Sequence, residues 1–248
     1  MFGIFKRRKE FSVDYSNIIT DIHSHLLPGI DDGSPDVDTS MKLIKGLQNL
    51  GFSNFVTTPH VYQEIHPNTN ESIDDAFQIL KQTTDTAGFN VNINAAAEYF
   101  LDDHFNQLLE NEVPLKTLHD NWVLVEWSFV QPPFDLRQTL FNIQIKGYQP
   151  IIAHPERYTY YYKDWDALDQ LMKAGGFLQM NLLSLAGYYG KAEKNIAEYL
   201  ISKNKYKLVG TDLHHDRHLR ALQSAGHIMH ILHEMIDSGH ILNPSLVK

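Results

Sequence analysis

The stretch Asp21-Ile-His23-Ser-His25-Leu-Leu-Pro-Gly-Ile-Asp31-Asp32-Gly33 follows directly on a short β-branched run at residues 18–22. In an extended segment residues i and i+2 point the same way, so His23 and His25 address one point in space. A lone His-x-His is commonplace on a surface strand, where a single imidazole is more simply a hydrogen-bonded polar group. Its meaning comes from what ends the other apolar runs. Strands are predicted at 54–58, 91–97, 122–127, 150–153, 177–180 and 207–210. The second is followed by Thr58-Pro-His60, the third ends in Glu98, the fourth in Glu126, the fifth in His154-Pro-Glu-Arg157 and the seventh in Asp212-Leu-His214. Only the sixth lacks such a residue.

Between these runs the apolar residues repeat with helical spacing at 35–50, 73–87, 102–109, 136–146, 165–174 and 193–203, with a seventh helix after the last strand at 219–237. Ser34-Pro35 reads as an N-cap followed by proline at the first helical position, and Gly51, Gly88, Gly147, Gly175 and Gly239 stand where helices end. Seven strands alternating with seven helices predict an α/β fold with a parallel sheet. Imidazole and carboxylate groups gathered at the C-terminal ends of the strands favour a closed barrel, where βα loops converge, over an open sheet with one switch point.

Composition narrows the chemistry. The chain of 248 residues has 14 histidines and no cysteine. That excludes disulfides, thiolate zinc sites, iron–sulfur clusters and a cysteine nucleophile. A formal charge of −9 argues against a general nucleic-acid surface. The basic opening lacks the apolar core of a secretory signal, and no run reaches the ~20 residues of a membrane span, so a cytoplasmic location is expected. Residues 1–17 read as a basic N-terminal segment, with a single domain over 18–248.

Burying five histidines and four carboxylates in one place without cations would incur several kcal/mol per uncompensated charge. Metal ions remove that objection. Nine side chains exceed one coordination sphere and suit two or three ions, and N/O ligation without sulfur fits manganese, iron, zinc or cobalt better than calcium or magnesium. Arg157 offers the bidentate donors of a guanidinium to an anion beside this cluster; a salt bridge to Glu156 or a loop acid is the plain alternative. Tyr158-Thr-Tyr-Tyr-Tyr162 reads as an aromatic surface loop that could stack on a ligand ring. His227, His230 and His233 recur every three residues, but they flank the apolar face of the last helix and are read as surface. His215 adjoins a ligand and could orient the site.

The His-Ser-His…Gly-Ile-Asp-Asp-Gly block, Thr58-Pro-His60, Ala97-Glu98-Tyr99, Val125-Glu126, Ala153-His-Pro-Glu-Arg157 and Gly210-Thr-Asp-Leu-His214 resemble the PHP (polymerase and histidinol phosphatase) superfamily. Within it the chain is most similar to the metal-dependent protein-tyrosine phosphatases of bacterial capsular and exopolysaccharide loci, from about residue 18 to Asn243-Pro244. The resemblance implies a distorted (β/α)7 barrel with a trinuclear site. His23, His25, Glu98 and Asp212 would hold the first ion, Glu98 would bridge to a second with Glu126 and His154, and Asp32, His60 and His214 would hold the third. Manganese stands foremost, with Fe, Zn, Co or Mg as alternatives. Arg217 matches a family arginine when a one-residue shift is allowed.

The implied activity is hydrolysis of phosphotyrosine on proteins, such as the tail of a cognate bacterial tyrosine kinase, by attack of a metal-bound hydroxide without a phosphoenzyme. A homo-oligomer is compatible with the family analogy. The competing expectations are a small-molecule phosphatase such as histidinol-phosphate phosphatase, a regulatory module whose metals are structural, and a nuclease-type domain, which the acidic composition disfavours.

Overall fold

A computed structural model describes residues 12–246. Among them are nine short strands, β1(Thr20–Asp21), β2(Asn54–Thr57), β3(His60–Val61), β4(Asn92–Ala95), β5(Glu98–Phe100), β6(Trp122–Glu126), β7(Gln149–Ala153), β8(Phe177–Asn181) and β9(Tyr206–Gly210). They form two parallel sheets, β1-β2-β4 and β3-β5-β6-β7-β8-β9. The expected second and third strands are each two strands. Thr58-Pro59 interrupts one and Ala96-Ala97 the other, so each chain crosses from the first sheet to the second just before its metal-competent residue. Proline has no N–H to give a ladder, which accounts for the first break. The two chains bend together: Ala96 N donates to Thr57 O (2.8 Å) and Glu98 N to Pro59 O (3.0 Å).

The helices are α1(Val37–Asn49), α2(Asn70–Thr86), α3(Asp103–Glu110), α4(Leu136–Ile145), α5(Trp165–Met172), α6(Leu182–Ala186), α7(Lys191–Ser202), α8(Asp216–Gln223) and α9(Met229–Asp237). Three expectations need correction. The first helix begins after Asp36, whose carboxylate accepts from Thr39 N at 2.8 Å, because Ser34 is held in the preceding loop through His25 O and Gly29 N. The single helix expected at 219–237 is two, α8 and α9, separated at Gly226 by a 3₁₀ turn. The Tyr158–Tyr162 run is not a surface loop. Two 3₁₀ turns fold it inward, Tyr158 is fully buried, and its ring stacks on Trp127 at 4.3 Å.

The main apolar core lies between sheets and helices and reaches back to Tyr15, inside the segment read as N-terminal; its hydroxyl donates to Leu222 O at 3.0 Å. Residues 1–11 of that basic segment lie outside the described residues. A smaller cluster draws Ile22, Val56, Ala96, Leu124, Ile151 and Leu208 together from successive strand regions.

The first and last strands meet at their C-terminal ends. Thr211 N and Oγ1 donate to Asp21 at 2.9 and 2.7 Å, Asp212 N donates to His23 O at 2.7 Å, and Ser24 bridges Leu213 in parallel. Gly210 permits this approach, since a Cβ there would lie 2.7 Å from His23 Cβ and 2.8 Å from Gln179 Nε2. Gly210→Ala is therefore expected to lower stability by about 1–3 kcal/mol through overpacking. Urea denaturation measures it, and an unchanged midpoint would show that β9 can move away from His23.

Candidate metal centre

All nine expected ligands converge at the C-terminal ends of the strands. The donor atoms form four overlapping groups, each within 4.8 Å: His25, Asp32, His60 and His214; His23, His154 and Asp212; His23, His25 and Glu98; and His60, Glu98 and Glu126. Two groups follow the allotment that the resemblance implies: His23, His25 and Glu98 stand together, and so do Asp32, His60 and His214, which His25 also joins. The other two differ from it, with His154 beside His23 and Asp212, and Glu126 beside His60 and Glu98. Glu98 is shared by two groups and lies at their centre. Its Oε1 is 3.0 Å from His154 Nε2, and its Oε2 is 3.2 Å from both His23 Nε2 and His60 Nδ1.

The backbone is bent to bring two of these groups in. His154 and Asp212 both take positive φ, 33° and 49°. Such conformations cost about 1–3 kcal/mol in non-glycine residues and persist where the surroundings enforce them. Here the enforcing contacts are Asp212 N on His23 O and Arg157 N on His154 O. The loop carrying Asp31 and Asp32 turns at Gly33, where a Cβ would meet His25 O at 2.3 Å.

The imidazoles are oriented from behind by three different acceptors. His23 Nδ1 donates to Gln179 Oε1 (2.8 Å), His25 Nδ1 to Asp31 Oδ2 (2.8 Å) and His214 Nδ1 to the Asp212 carbonyl (2.9 Å). Gln179 is itself fixed, because its Nε2 donates to Met180 O at 2.7 Å. Each bond places the proton on Nδ1 and leaves Nε2 free to ligate, the arrangement usual for metal-bound histidine. Asn181 Nδ2 donates to Asp212 Oδ2 at 2.8 Å. Asp31, Gln179 and Asn181 were not singled out from sequence. Gln179 and Asn181 lie two apart on β8, the strand that carries no ligand, and so present amides on the face where other strands present ligands.

The electrostatics describe a site built for cations. Glu98 and Asp212 are buried, which alone would raise their pKa values; His23 and the other imidazoles hold both well below the usual carboxylate range. Burial would likewise depress His23, but the carboxylates of Glu98 and Asp212 prevail and lift it to about 9. Glu98 Oε2 is buried without a hydrogen-bond partner. A buried carboxylate oxygen 3.2–3.4 Å from three imidazoles yet without a hydrogen bond to any of them, in an all N/O donor set, fits divalent metal ions.

A cavity of about 590 Å³ opens over this cluster. Arg157 reaches it with its Nη1 donating to Asp212 Oδ2 at 2.9 Å and its guanidinium between the rings of Phe129 and Tyr189, 4.5 Å from each. It does not pair with Glu156, which is fully buried and accepts from Asn181 N and Tyr206 OH at 2.7 and 2.8 Å. Arg217 is exposed on α8 and is not among the cavity-lining residues. His215 caps α8 and His218 packs against it; burial and the His215 charge depress His218 to about 4. His227, His230 and His233 are exposed and join none of the donor groups among the described residues.

A family model described as capsular polysaccharide synthesis, CpsB/CapC, matches residues 19–235. The chain belongs to the CpsB/CapC family. Tyrosine-protein phosphatase YwqE of Bacillus subtilis (strain 168) is 28% identical over 194 residues, covering 78% of this chain and 76% of that protein. Tyrosine-protein phosphatase CpsB of Streptococcus pneumoniae is 27% identical over 201 residues, 78% of this chain and 82% of that one. A solved structure from work on Bacillus subtilis YwqE and Streptococcus pneumoniae CpsB, described as unique metal-dependent tyrosine phosphatases, superposes with a TM-score of 0.80 at 25% identity over 92% of this chain and 95% of the other. The lactonase Lmo2620 of Listeria monocytogenes shares the fold alone, at 14% identity, a TM-score of 0.50 and coverage of 94% and 92%.

Two outcomes are expected of this CpsB/CapC centre. Gln179→Leu removes the acceptor that fixes His23 and should weaken metal binding about 10–100-fold, measured by competition with a chelating dye; unaltered affinity would exclude the positioning role. The second concerns pH. His23 titrates near 6.5 when unfolded and about 9 when folded in the metal-free chain. Its pairing therefore stabilises fully below the unfolded value and is lost as pH rises through the folded one. An ion competes with that proton. Metal-free protein should lose Tm between pH 6.5 and 9, while the increment that added Mn²⁺ produces should grow over the same window. An increment independent of pH would argue against His23 as a ligand.

Proposed function

We propose that this chain is a metal-dependent phosphatase that hydrolyses phosphotyrosine on proteins, with a tyrosine kinase of the capsular or exopolysaccharide system as its substrate. The observation that carries this reading is the convergence of His23, His25, Asp32, His60, Glu98, Glu126, His154, Asp212 and His214 in four overlapping donor groups beneath an open cavity. Membership of the CpsB/CapC family supports the polysaccharide setting. The naming of YwqE and CpsB as tyrosine-protein phosphatases supports the reaction. The architecture we infer is a distorted (β/α)7 barrel. Support for closure comes from the Ser24–Leu213 bridge and from the apolar cluster drawn from successive strand regions.

Held by these nine residues, two or three divalent ions, with manganese foremost, would supply electrostatic grip on a phosphate dianion and would acidify water at neutral pH. The protein's own residues hold that chemistry in place. Gln179 and Asp31 set His23 and His25. Arg157, pinned to Asp212 and clamped by two rings, presents its remaining N–H donors to the cavity, where they can meet phosphoryl charge as it develops. With no cysteine in the chain, thiolate catalysis is excluded. Direct displacement of the tyrosyl oxygen by water is the route we assign.

No helix among the described residues is long and apolar enough to cross a membrane. The cytoplasmic location remains our reading of the sequence.

Arg157→Ala should lower kcat/KM on a phosphotyrosine peptide about 100-fold or more. Arg217→Ala, lying on the exposed start of α8, should stay within about fivefold of wild type because its charge is screened. Equal effects of the two would remove Arg157 from its special role. Acid quenching during turnover of a ³²P-labelled peptide should leave no label on the protein; a stoichiometric phosphoenzyme would overturn direct displacement. Efficient turnover of histidinol phosphate with little on phosphotyrosine would instead favour a small-molecule phosphatase.

A further inference from the structure

The strand register places more than ligands on the inner face. His60 pairs with Glu98 and Val61 with Tyr99 across β3 and β5, while Phe100 pairs with Glu126 across β5 and β6. In parallel strands paired residues share a face, and the next residue on that face is two positions on. One step beyond His60 and Glu98 are therefore Tyr62 and Phe100, level with Glu126. Their rings stack at 4.1 Å with an interplanar angle of 11°, and both line the cavity. Above the rung that carries His60 and Glu98 thus stands a rung of two neighbouring aromatic rings followed by the carboxylate of Glu126. A strand rises about 3.3 Å per residue, so the rings stand about 6.6 Å outward of His60 and Glu98 along the strands. Phe129 is a third aromatic wall of the same cavity, 5.6 Å from the His154 ring. Ile65 and Val130 line its mouth, exposed at 62% and 84%.

We propose that the stacked Tyr62–Phe100 pair, with Phe129, is an aryl-binding subsite that seats the phenyl ring of a phosphate monoester while its phosphate lies over the donor cluster. This rests on the phosphatase reading and adds the residues that select among phosphate esters. A phenyl ring joined to phosphate through one oxygen extends past the ligand rung into the aromatic one, where it gains ring contacts and sheds water. The short alkyl arm of a phosphoserine leaves the peptide backbone at that depth and gains neither. The aromatic run read from sequence as a surface loop able to stack on a ligand ring, Tyr158–Tyr162, begins with a tyrosine committed to the core, and Tyr62 and Phe100 take the place beside the cavity.

Calorimetric binding of phenylphosphonate and methylphosphonate to the Mn²⁺-loaded protein tests this without turnover. Wild type should bind the phenyl compound about tenfold more tightly. Tyr62→Ala and Phe100→Ala should each shrink that margin to about threefold or less, with methylphosphonate held within about twofold of wild type. Phe100→Leu, which keeps apolar volume without the ring face, should shrink it likewise. Equal affinities in wild type, a margin that survives the Tyr62→Ala/Phe100→Ala double variant, or loss of both ligands together in Phe100→Leu would each overturn the subsite. A phenyl margin that responds to these variants, in a protein that turns over no phosphotyrosine peptide, would sustain the subsite and overturn the phosphatase reading instead.

Discussion

Glu98 stands fully buried where four imidazoles meet, with one carboxylate oxygen close to three of them but without a hydrogen bond. An ionised carboxylate out of water costs several kcal/mol unless opposite charge surrounds it. Every neighbouring feature answers that cost. His23 and His25 come from the first strand end, His60 from the second, and His154 from β7. Each of the first two is held by an acceptor at its back, so that its second nitrogen faces the carboxylate. Divalent ions would complete the compensation. Three of them, as the family resemblance implies, would against four carboxylates leave a local positive excess on a chain whose formal charge is −9, which is what an anionic phosphate requires.

The cluster also explains where the backbone is bent. His154 and Asp212 adopt left-handed backbone conformations immediately past β7 and β9, where the chain must turn a side chain inward rather than continue outward into a loop. The strain is held by hydrogen bonds between neighbouring elements, notably Asp212 N on His23 O, so the first and last strands cannot separate without loosening a ligand. Arg157 couples the same residue to the cavity. Its ion pair with Asp212 and its place against Phe129 and Tyr189 limit its motion, so the guanidinium offered to the cavity and the donor cluster share one carboxylate.

The parallel register layers the inner face. His60 and Glu98 share a rung with apolar Leu124 and Ile151, and Phe100 and Glu126 share the next one out, with Tyr62 two residues past His60. The two-residue period of a strand thus puts metal-competent and ring-bearing residues on one face without needing any insertion to build them.

The amino-acid sequence by itself determined the α/β alternation and the all-N/O donor chemistry, because cysteine is absent and metal-competent residues end most of the short apolar runs, and its resemblance to the PHP superfamily picked out the nine residues that converge. Periodicity and residue type are local properties and survive without coordinates. What only the tertiary structure decided depends on distance between strands. The splits at Thr58-Pro59 and Ala96-Ala97 follow from the passage between two sheets, and the inward fold of Tyr158 from the space beside Trp127. The support of His23 by Gln179 joins residues 156 positions apart, and Arg157 chose Asp212 over its sequence neighbour Glu156. Tyr62 and Phe100 look unremarkable along the chain. Only the register of β3 against β5 stacks their rings above the ligands, because hydrogen bonding between strands, and not spacing within one, sets which side chains share a level.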